Sequence, residues 1–418
     1  MTAIFKLRNQ VKYYEWGSPD YIPQLMGVAR DGKPWAELWM GSHPGSPSMV
    51  SLPSGETSLG ELIADDPRGC LGEKTAERFG GLPFLFKLLA AGKPLSIQAH
   101  PNLAQAREGF ERENKACLPM DAPHRSYRDS NHKPEIICAL TPFTGMCGFR
   151  EIDETKRLLA AFLAPAPAFL REGCAPLAEA LSANDNGGLR KLLDALFSLP
   201  PAIREALTKY ILSDNCPQGS GFDAELMHNF ACLYPGDPAV IAPLYLNVFR
   251  LAPGEAIFLK AGVLHAYCHG FGVELMANSD NVLRGGLTPK HIDVGELMKV
   301  LDFSSLKPQV LKPEPGFSRF TYPTPCEEFS LTVMRGSGET AAFAPDSPGR
   351  CCSCAICIVT EGEVSIGSSA DAAACVTLKQ GESAFIPPPA AGESLTLRGH
   401  YTLYAAGCNI PCETAPSK

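Results

Sequence analysis

No stretch of this chain is apolar and long enough to cross a bilayer, and its opening residues, MTAIFKLRNQVKYYEWG, lack the apolar core of an export signal. Both absences lead to the expectation of a soluble cytoplasmic protein with no membrane partner. A basic excess is missing too, since 37 Lys and Arg stand against 45 Asp and Glu, for a net charge of −8. A nucleic-acid binder needs a dominant positive surface to displace counterions, so that class is set aside. Any anionic ligand must instead meet a local group of cations. No glycine-rich loop followed by Lys-Ser/Thr is present to cradle a nucleotide, which speaks against a second, guanylyl-transferring activity. The 16 cysteines are scattered and form no finger-like cluster. Cys351-Cys352-Ser353-Cys354-Ala355-Ile356-Cys357 has overlapping C-x-x-C spacings, but it runs straight into Ile358-Val359-Thr360 and reads as small residues of a strand.

What is present divides into two rhythms. At 418 residues the chain exceeds one ordinary core, so two or three domains are expected. Residues 1–150 and 234–325 read as short strands between Gly and Pro turns, forming two parts of one β domain. Between them, 151–233 turns helical: Leu189, Leu192, Leu193 and Leu196, then Ile203, Leu207, Tyr210 and Ile211, recur at three- and four-residue spacing. Residues 326–418 return to strands as a second β domain. It carries an internal repeat, because Leu251-Ala252-Pro253-Gly254-Glu255-Ala256-Ile257-Phe258-Leu259 is echoed by Leu378-Lys379-Gln380-Gly381-Glu382-Ser383-Ala384-Phe385-Ile386. At that offset His265 falls on Gly392, so the second copy lacks the histidine and is expected to be structural. The fold class is mainly β with a helical insertion, as two jelly-roll domains plus an α-helical one.

The chemistry concentrates between Tyr245 and His291. Strand, glycine turn and strand deliver His265, and Glu274, Asp280, Arg284 and Lys290 follow within seventeen residues, a density of charge among apolar residues that suggests a lined cavity. Upstream, Pro94-Leu95-Ser96-Ile97-Gln98-Ala99-His100-Pro101 reads as a strand whose alternation puts Ser96, Gln98 and His100 on one face. In Asn131-His132-Lys133-Pro134-Glu135, proline extends the backbone, so Lys133 and Glu135 share a face at a strand start, where a solvated ion pair is the ordinary outcome. Trp35 and Trp39 flank Glu37, as either a sugar-binding wall or core packing; Trp16 and Glu37 are kept as candidate sugar contacts. Two imidazoles, a carboxylate and an amide oxygen, from Gln98, His100, Glu135 and His265, would hold a divalent transition metal, foremost Zn²⁺, with positions left for water or substrate.

Four blocks, Ala36–Gly41, Pro94–Asn102, Asn131–Glu135 and Leu246–Asp293, resemble the signatures of the type I mannose-6-phosphate isomerase (phosphomannose isomerase) family, and the likeness covers nearly the whole chain. The resemblance implies a zinc-dependent cupin enzyme that interconverts mannose 6-phosphate and fructose 6-phosphate, with one Zn²⁺ per chain on Gln98, His100, Glu135 and His265. It also places the family's active-site arginine on Arg284. Planar and permanently charged, Arg284 suits stabilising an enediolate better than moving a proton. For the base, Lys133 and Glu274 rank before Asp280. Ser96, Lys87 and Lys290 are the candidate phosphate donors. A monomer binding a phosphorylated hexose is expected, with a dimer as the alternative. Two rival classes are weaker. An Fe²⁺ oxygenase would use two His and one carboxylate without a fourth protein ligand, and a storage or sugar-binding protein leaves Lys133, Arg284 and Lys290 unexplained.

Overall fold

The computed structural model describes residues 4–182, 186–218, 221–343, 351–368, 371–390 and 393–411. Among the described residues, the strands form two antiparallel systems, one of eleven and one of nine. The eleven-stranded system is organised on the strand His265–Ala277. Its second half pairs with Phe84–Ala91 on one side and Glu135–Ala139 on the other. Its first half pairs with Ile97–Ala99 and Phe143–Phe149. One strand can serve both sets because Gly270, at φ +126°, redirects the backbone where the partners change.

Side-chain parity then decides what each face does. Phe84, Phe86, Leu88, Ile136, Cys138, Val273 and Leu275 point outward and share a core with Leu331, Val333, Ile356, Ile358 and Phe385 of the nine-stranded system. Ile97, Ala99, Met146, Leu264, Ala266 and Leu283 point outward elsewhere and pack beneath the helices. Residues of opposite parity, among them Lys87, Glu135, Glu274, Gln98 and Arg284, therefore face the space enclosed by the sheets.

The helical segment comprises Ile152–Leu163, Ala168–Gly173, Ala175–Ala180, Asn186–Phe197, Pro201–Ile211 and Ala224–Leu233. All eight residues of the Leu189–Ile211 stripe are buried in its core. The helix after Pro101 spans Leu103–Lys115 and starts at Asn102 through a capping box with Gln105. The strand before it is shorter than the sequence suggests, because Pro94 and Pro101 restrict it to Ile97–Ala99.

The repeat has a structural counterpart. Gly254 and Gly381 both turn at positive φ, +87° and +83°. In each copy the next glutamate accepts from the backbone three residues back: Glu255 from the Ala252 N–H at 2.9 Å, Glu382 from the Lys379 N–H at 2.8 Å. Gly392, the position aligned with His265, lies outside the described residues. Cys354 and Cys357 are buried at the start of the strand Ala355–Ser368. Two features have no local signature: Phe5–Arg8 pairs with Ser383–Ile386, and Met49–Leu52 pairs with Phe5–Arg8, so strands from the first 60 residues belong to the nine-stranded system. No helix among the described residues is long and apolar enough to cross a membrane.

A side chain at Gly270 would meet the Phe143 Cα and the Pro142 carbonyl at 2.8 Å, in a backbone conformation that L-residues avoid. Gly270→Ala is expected to destabilise the fold by about 2 kcal/mol or more in a denaturant titration. Gly81→Ala, with nothing within 4 Å of the added methyl, should leave the midpoint unchanged.

Candidate metal centre and active-site cavity

Cross-strand register sets the cavity wall. Trp39, Lys87 and Glu274 stand opposite one another on three neighbouring strands. On the far side Arg284, Gln98 and His265 do the same. A cavity of about 1020 Å³ lies between the two rungs. It is lined by eleven of the residues singled out from sequence: Trp16, Glu37, Lys87, Ser96, Gln98, Lys133, Glu135, Glu274, Asp280, Arg284 and Lys290. His100 and His265 are buried behind Glu135, with ring centroids 5.2 Å apart.

The three buried groups are held in an unusual relation. His100 Nδ1 lies 2.6 Å from the Asn281 carbonyl, and His265 Nδ1 lies 2.9 Å from the Val263 carbonyl. A carbonyl can only accept, so each Nδ1 carries the proton and each Nε2 presents a lone pair. Those two lone pairs face Glu135: His100 Nε2 is 3.4 Å from Oε1 and His265 Nε2 is 3.3 Å from Oε2. Neither Nε2 nor Glu135 Oε2 has a hydrogen-bond partner, and a ligand atom from each of the three residues falls within 4.8 Å of the others. Acceptors facing acceptors in a buried site are repulsive unless a cation sits among them, so the donor set fits a metal ion. Gln98 lines the cavity in register with His265 and can add an amide oxygen.

Ionisation agrees. Burial, then the Lys133 charge, pushes the His100 imidazole down to about 4, so the ring is neutral and able to ligate. Burial works against the Glu135 carboxylate, but the Lys133 ammonium at 2.7 Å holds its pKa well below the ordinary value. The Lys133–Glu135 pair is thus a buried contact, in place of the solvated pair expected from sequence.

Lys87, expected as a phosphate donor, lies 3.0 Å from Glu274 and 3.6 Å from Glu37. Burial disfavours its charge, yet Glu274, Glu37 and Glu135 together raise its pKa. Glu274 moves up, chiefly through burial and against the pull of Lys87. Glu37 accepts from the Trp39 indole N–H at 2.7 Å; Trp39 lines the cavity, whereas Trp35 bonds Asp31 away from it. Three buried carboxylates, Glu37, Glu135 and Glu274, thus meet two buried ammoniums, Lys87 and Lys133.

Beside Gln98 the sign reverses. Arg284, Lys290 and Arg128 line the cavity together, with no carboxylate within ion-pair distance of any of them among the described residues. Burial lowers the pKa of Arg284 and of Lys290, and the neighbouring cations lower them further. Sequence analysis missed Arg128, which lies in a segment with no periodicity. It also missed His43, which sits beside Asp280, and Asn281, whose side chain ties the Arg128 N–H and the Asp129 and Asn131 carbonyls together.

Residues 4–152 match the family model described as phosphomannose isomerase type I, catalytic domain. The chain is 39% identical over 400 residues to the mannose-6-phosphate isomerase of Escherichia coli (strain K12), covering 94% of this chain and 97% of that one. It is 35% identical over 429 residues to the mannose-6-phosphate isomerase of Homo sapiens, covering 94% and 95%. A solved structure of mannose 6-phosphate isomerase in its zinc-bound holo form superposes with a TM-score of 0.86 at 36% identity, covering 98% of this chain and 100% of that one.

Removing His265 takes away one of the two lone pairs facing Glu135. The His265→Ala protein is expected to bind metal more than about a hundredfold more weakly, beyond what loss of an outer-shell partner costs. Metal analysis after dialysis reads this directly, and an unchanged metal content would remove His265 from the ligand set.

Proposed function

Because the chain belongs to the type I phosphomannose isomerase family, we propose that it interconverts mannose 6-phosphate and fructose 6-phosphate through a cis-enediol(ate), with one zinc ion per chain on Gln98, His100, Glu135 and His265. One observation carries the reading: among the described residues, an uncompensated acceptor cluster borders a cavity that is also lined by uncompensated cations. A sugar phosphate with polarisable oxygens at one end and a dianion at the other is complementary to that field. The activity would supply mannose 6-phosphate for GDP-mannose and glycan synthesis or serve mannose catabolism.

The chemistry moves one proton between adjacent carbons. Taking the C2 proton from the open-chain aldose leaves its electron pair to form the C1–C2 double bond, with negative charge on O1. Returning a proton to C1 while the proton of the O2 hydroxyl passes to O1 yields the ketose. Bound zinc would supply Lewis-acid polarisation or orientation of the sugar's oxygens. The side chains must bind the phosphate, carry the proton and offset the charge.

Lys290 and Arg128, with the Ser96 hydroxyl on the same wall, are placed to hold the phosphate. Lys87 is committed to Glu37 and Glu274 and serves the proton-carrying group instead. Glu274, whose pKa burial moves toward neutrality, is suited to take the proton, and Lys87 beside it keeps the charge in balance. Lys133 is the second candidate, in contact with Glu135 at 2.7 Å. Arg284, in register with Gln98, stabilises the charge on the enediolate.

Arg284→Ala is expected to lower turnover of mannose 6-phosphate by about a hundred- to a thousandfold. Zinc content and melting temperature should be retained; normal turnover would remove the enediolate role. Chelation is expected to abolish activity in a coupled assay, and added zinc to restore it. Full activity after verified removal of all metal would reject the zinc dependence.

A further inference from the structure

We propose that His43 is a positioning residue that aims Asp280 into the cavity as an ionised acceptor for a sugar hydroxyl, an inference that rests on the isomerase reading above and extends it to a side chain outside the metal set. His43 follows the strand Trp35–Met40 and lines the same cavity. The Gly45 backbone N–H donates to its Nδ1 at 3.1 Å. That bond requires a lone pair on Nδ1, so the ring proton resides on Nε2. Nε2 lies 3.3 Å from Asp280 Oδ2, and the carboxylate is the acceptor that this N–H faces. Protonating both ring nitrogens would set a second hydrogen against the Gly45 N–H, so the neutral tautomer is the one the backbone selects.

Both partners are fixed from behind. The imidazole meets the Trp39 ring edge-on at 4.9 Å and 84°, and Trp39 is itself held by its N–H bond to Glu37. Asp280 is anchored by its own N–H, which donates to Asp129 Oδ2 at 2.7 Å. His43 is only 12% exposed, whereas Asp280 keeps 47% of its side chain open and lines the cavity. The carboxylate can therefore be held by His43 and still reach a ligand. Its pKa lies below the ordinary aspartate value. The His43 N–H is the largest cause, opposed by burial and supported by Lys133 and Lys87. Tyr14 and Asp129 are further titratable groups close to this carboxylate. Asp280 thus stays an acceptor as the pH falls, unlike the buried Glu274.

The test compares replacements that keep or remove the Nε2 donor. His43→Phe keeps the ring against Trp39 but removes the donor, and is expected to lower kcat about ten- to a hundredfold, the range for losing a hydrogen bond to a charged group. Zinc content and melting temperature should hold. His43→Gln, whose amide N–H₂ occupies the place of Nε2, should recover most of the loss. His43→Asn, whose amide reaches only the place of Nδ1, should not, and it carries the test if the Phe protein does not fold. Without the donor Asp280 protonates at higher pH, so the acid limb of the kcat profile should move up in both inactive variants. Asp280→Asn should itself lower kcat, and adding His43→Phe to it should cost nothing more. Normal turnover of the Phe and Asn proteins, no rescue by Gln, or an equal loss in the Asp280→Asn background would overturn the proposal. Normal turnover of Asp280→Asn alone would overturn it by removing the role of Asp280. Absence of mannose 6-phosphate isomerisation by the unmodified protein would instead refute the reading beneath it.

Discussion

Glu135 and the two imidazole nitrogens that face it form the constraint on which the rest of the site depends. Each histidine is fixed in the tautomer that cannot donate to the carboxylate, because the Asn281 and Val263 carbonyls take the Nδ1 protons. Lys133 reaches only Oε1 of Glu135, so the two lone pairs and Oε2 remain acceptors turned on one another in a buried site, an arrangement that a bound cation relieves. The carbonyl of Asn281 is positioned in turn by that residue's side chain, which clamps the backbone at Arg128, Asp129 and Asn131. His100, Arg128 and the segment leading to Lys133 are thus tied together by one asparagine.

A continuous polar chain runs along the opposite wall, from Glu274 through Lys87 and Glu37 to the Trp39 indole, then by ring contact to His43 and on to Asp280. Its ionic links are buried, where two charges 4 Å apart interact by about 4 kcal/mol even at an effective dielectric constant of 20. Exposed pairs of the same protein, such as Arg8 with Glu56, are screened by solvent and couple far more weakly. Charge placed anywhere on the buried chain therefore biases the protonation of the remainder. The cavity offers groups of opposite tendency: Glu274 inclined to hold a proton and Asp280 inclined to lose one.

Much of this was legible in the sequence, because period-two alternation carries geometric information. Ser96, Gln98 and His100 alternate with Ile97 and Ala99, which pack under the helices; Glu135 opens a strand whose Ile136 and Cys138 face the other core. The stripe from Leu189 to Ile211 is helical and buried for the same kind of reason, at the longer period. What stayed hidden is irregular or non-local. Arg128 and Asn281 sit in segments without periodicity, and only tertiary contacts bring them to the site. His43 lies in a turn where its tautomer depends on a glycine two residues on and its partner on a residue 237 positions away. Lys87 could be seen as a cation in an apolar strand, but the carboxylate opposite it comes from register with Glu274.

The two outer layers explain why the cavity can be so polar. The two strands that carry the buried Lys87–Glu274 pair set outward apolar neighbours on both sides of each charge: Phe86 and Leu88 around Lys87, Val273 and Leu275 around Glu274. Burying each such side chain yields roughly 1.5–3 kcal/mol, so two neighbours offset much of the cost of one desolvated charge between them. The nine-stranded system covers one outer face and the helical segment covers the other. The second β unit repeats the glycine turn and glutamate latch of the first, and its part is mechanical. By packing on Phe86, Leu88, Val273 and Leu275 it holds the registers that place Lys87 opposite Glu274, so a loosening of that core reaches the site through strand register without touching a ligand.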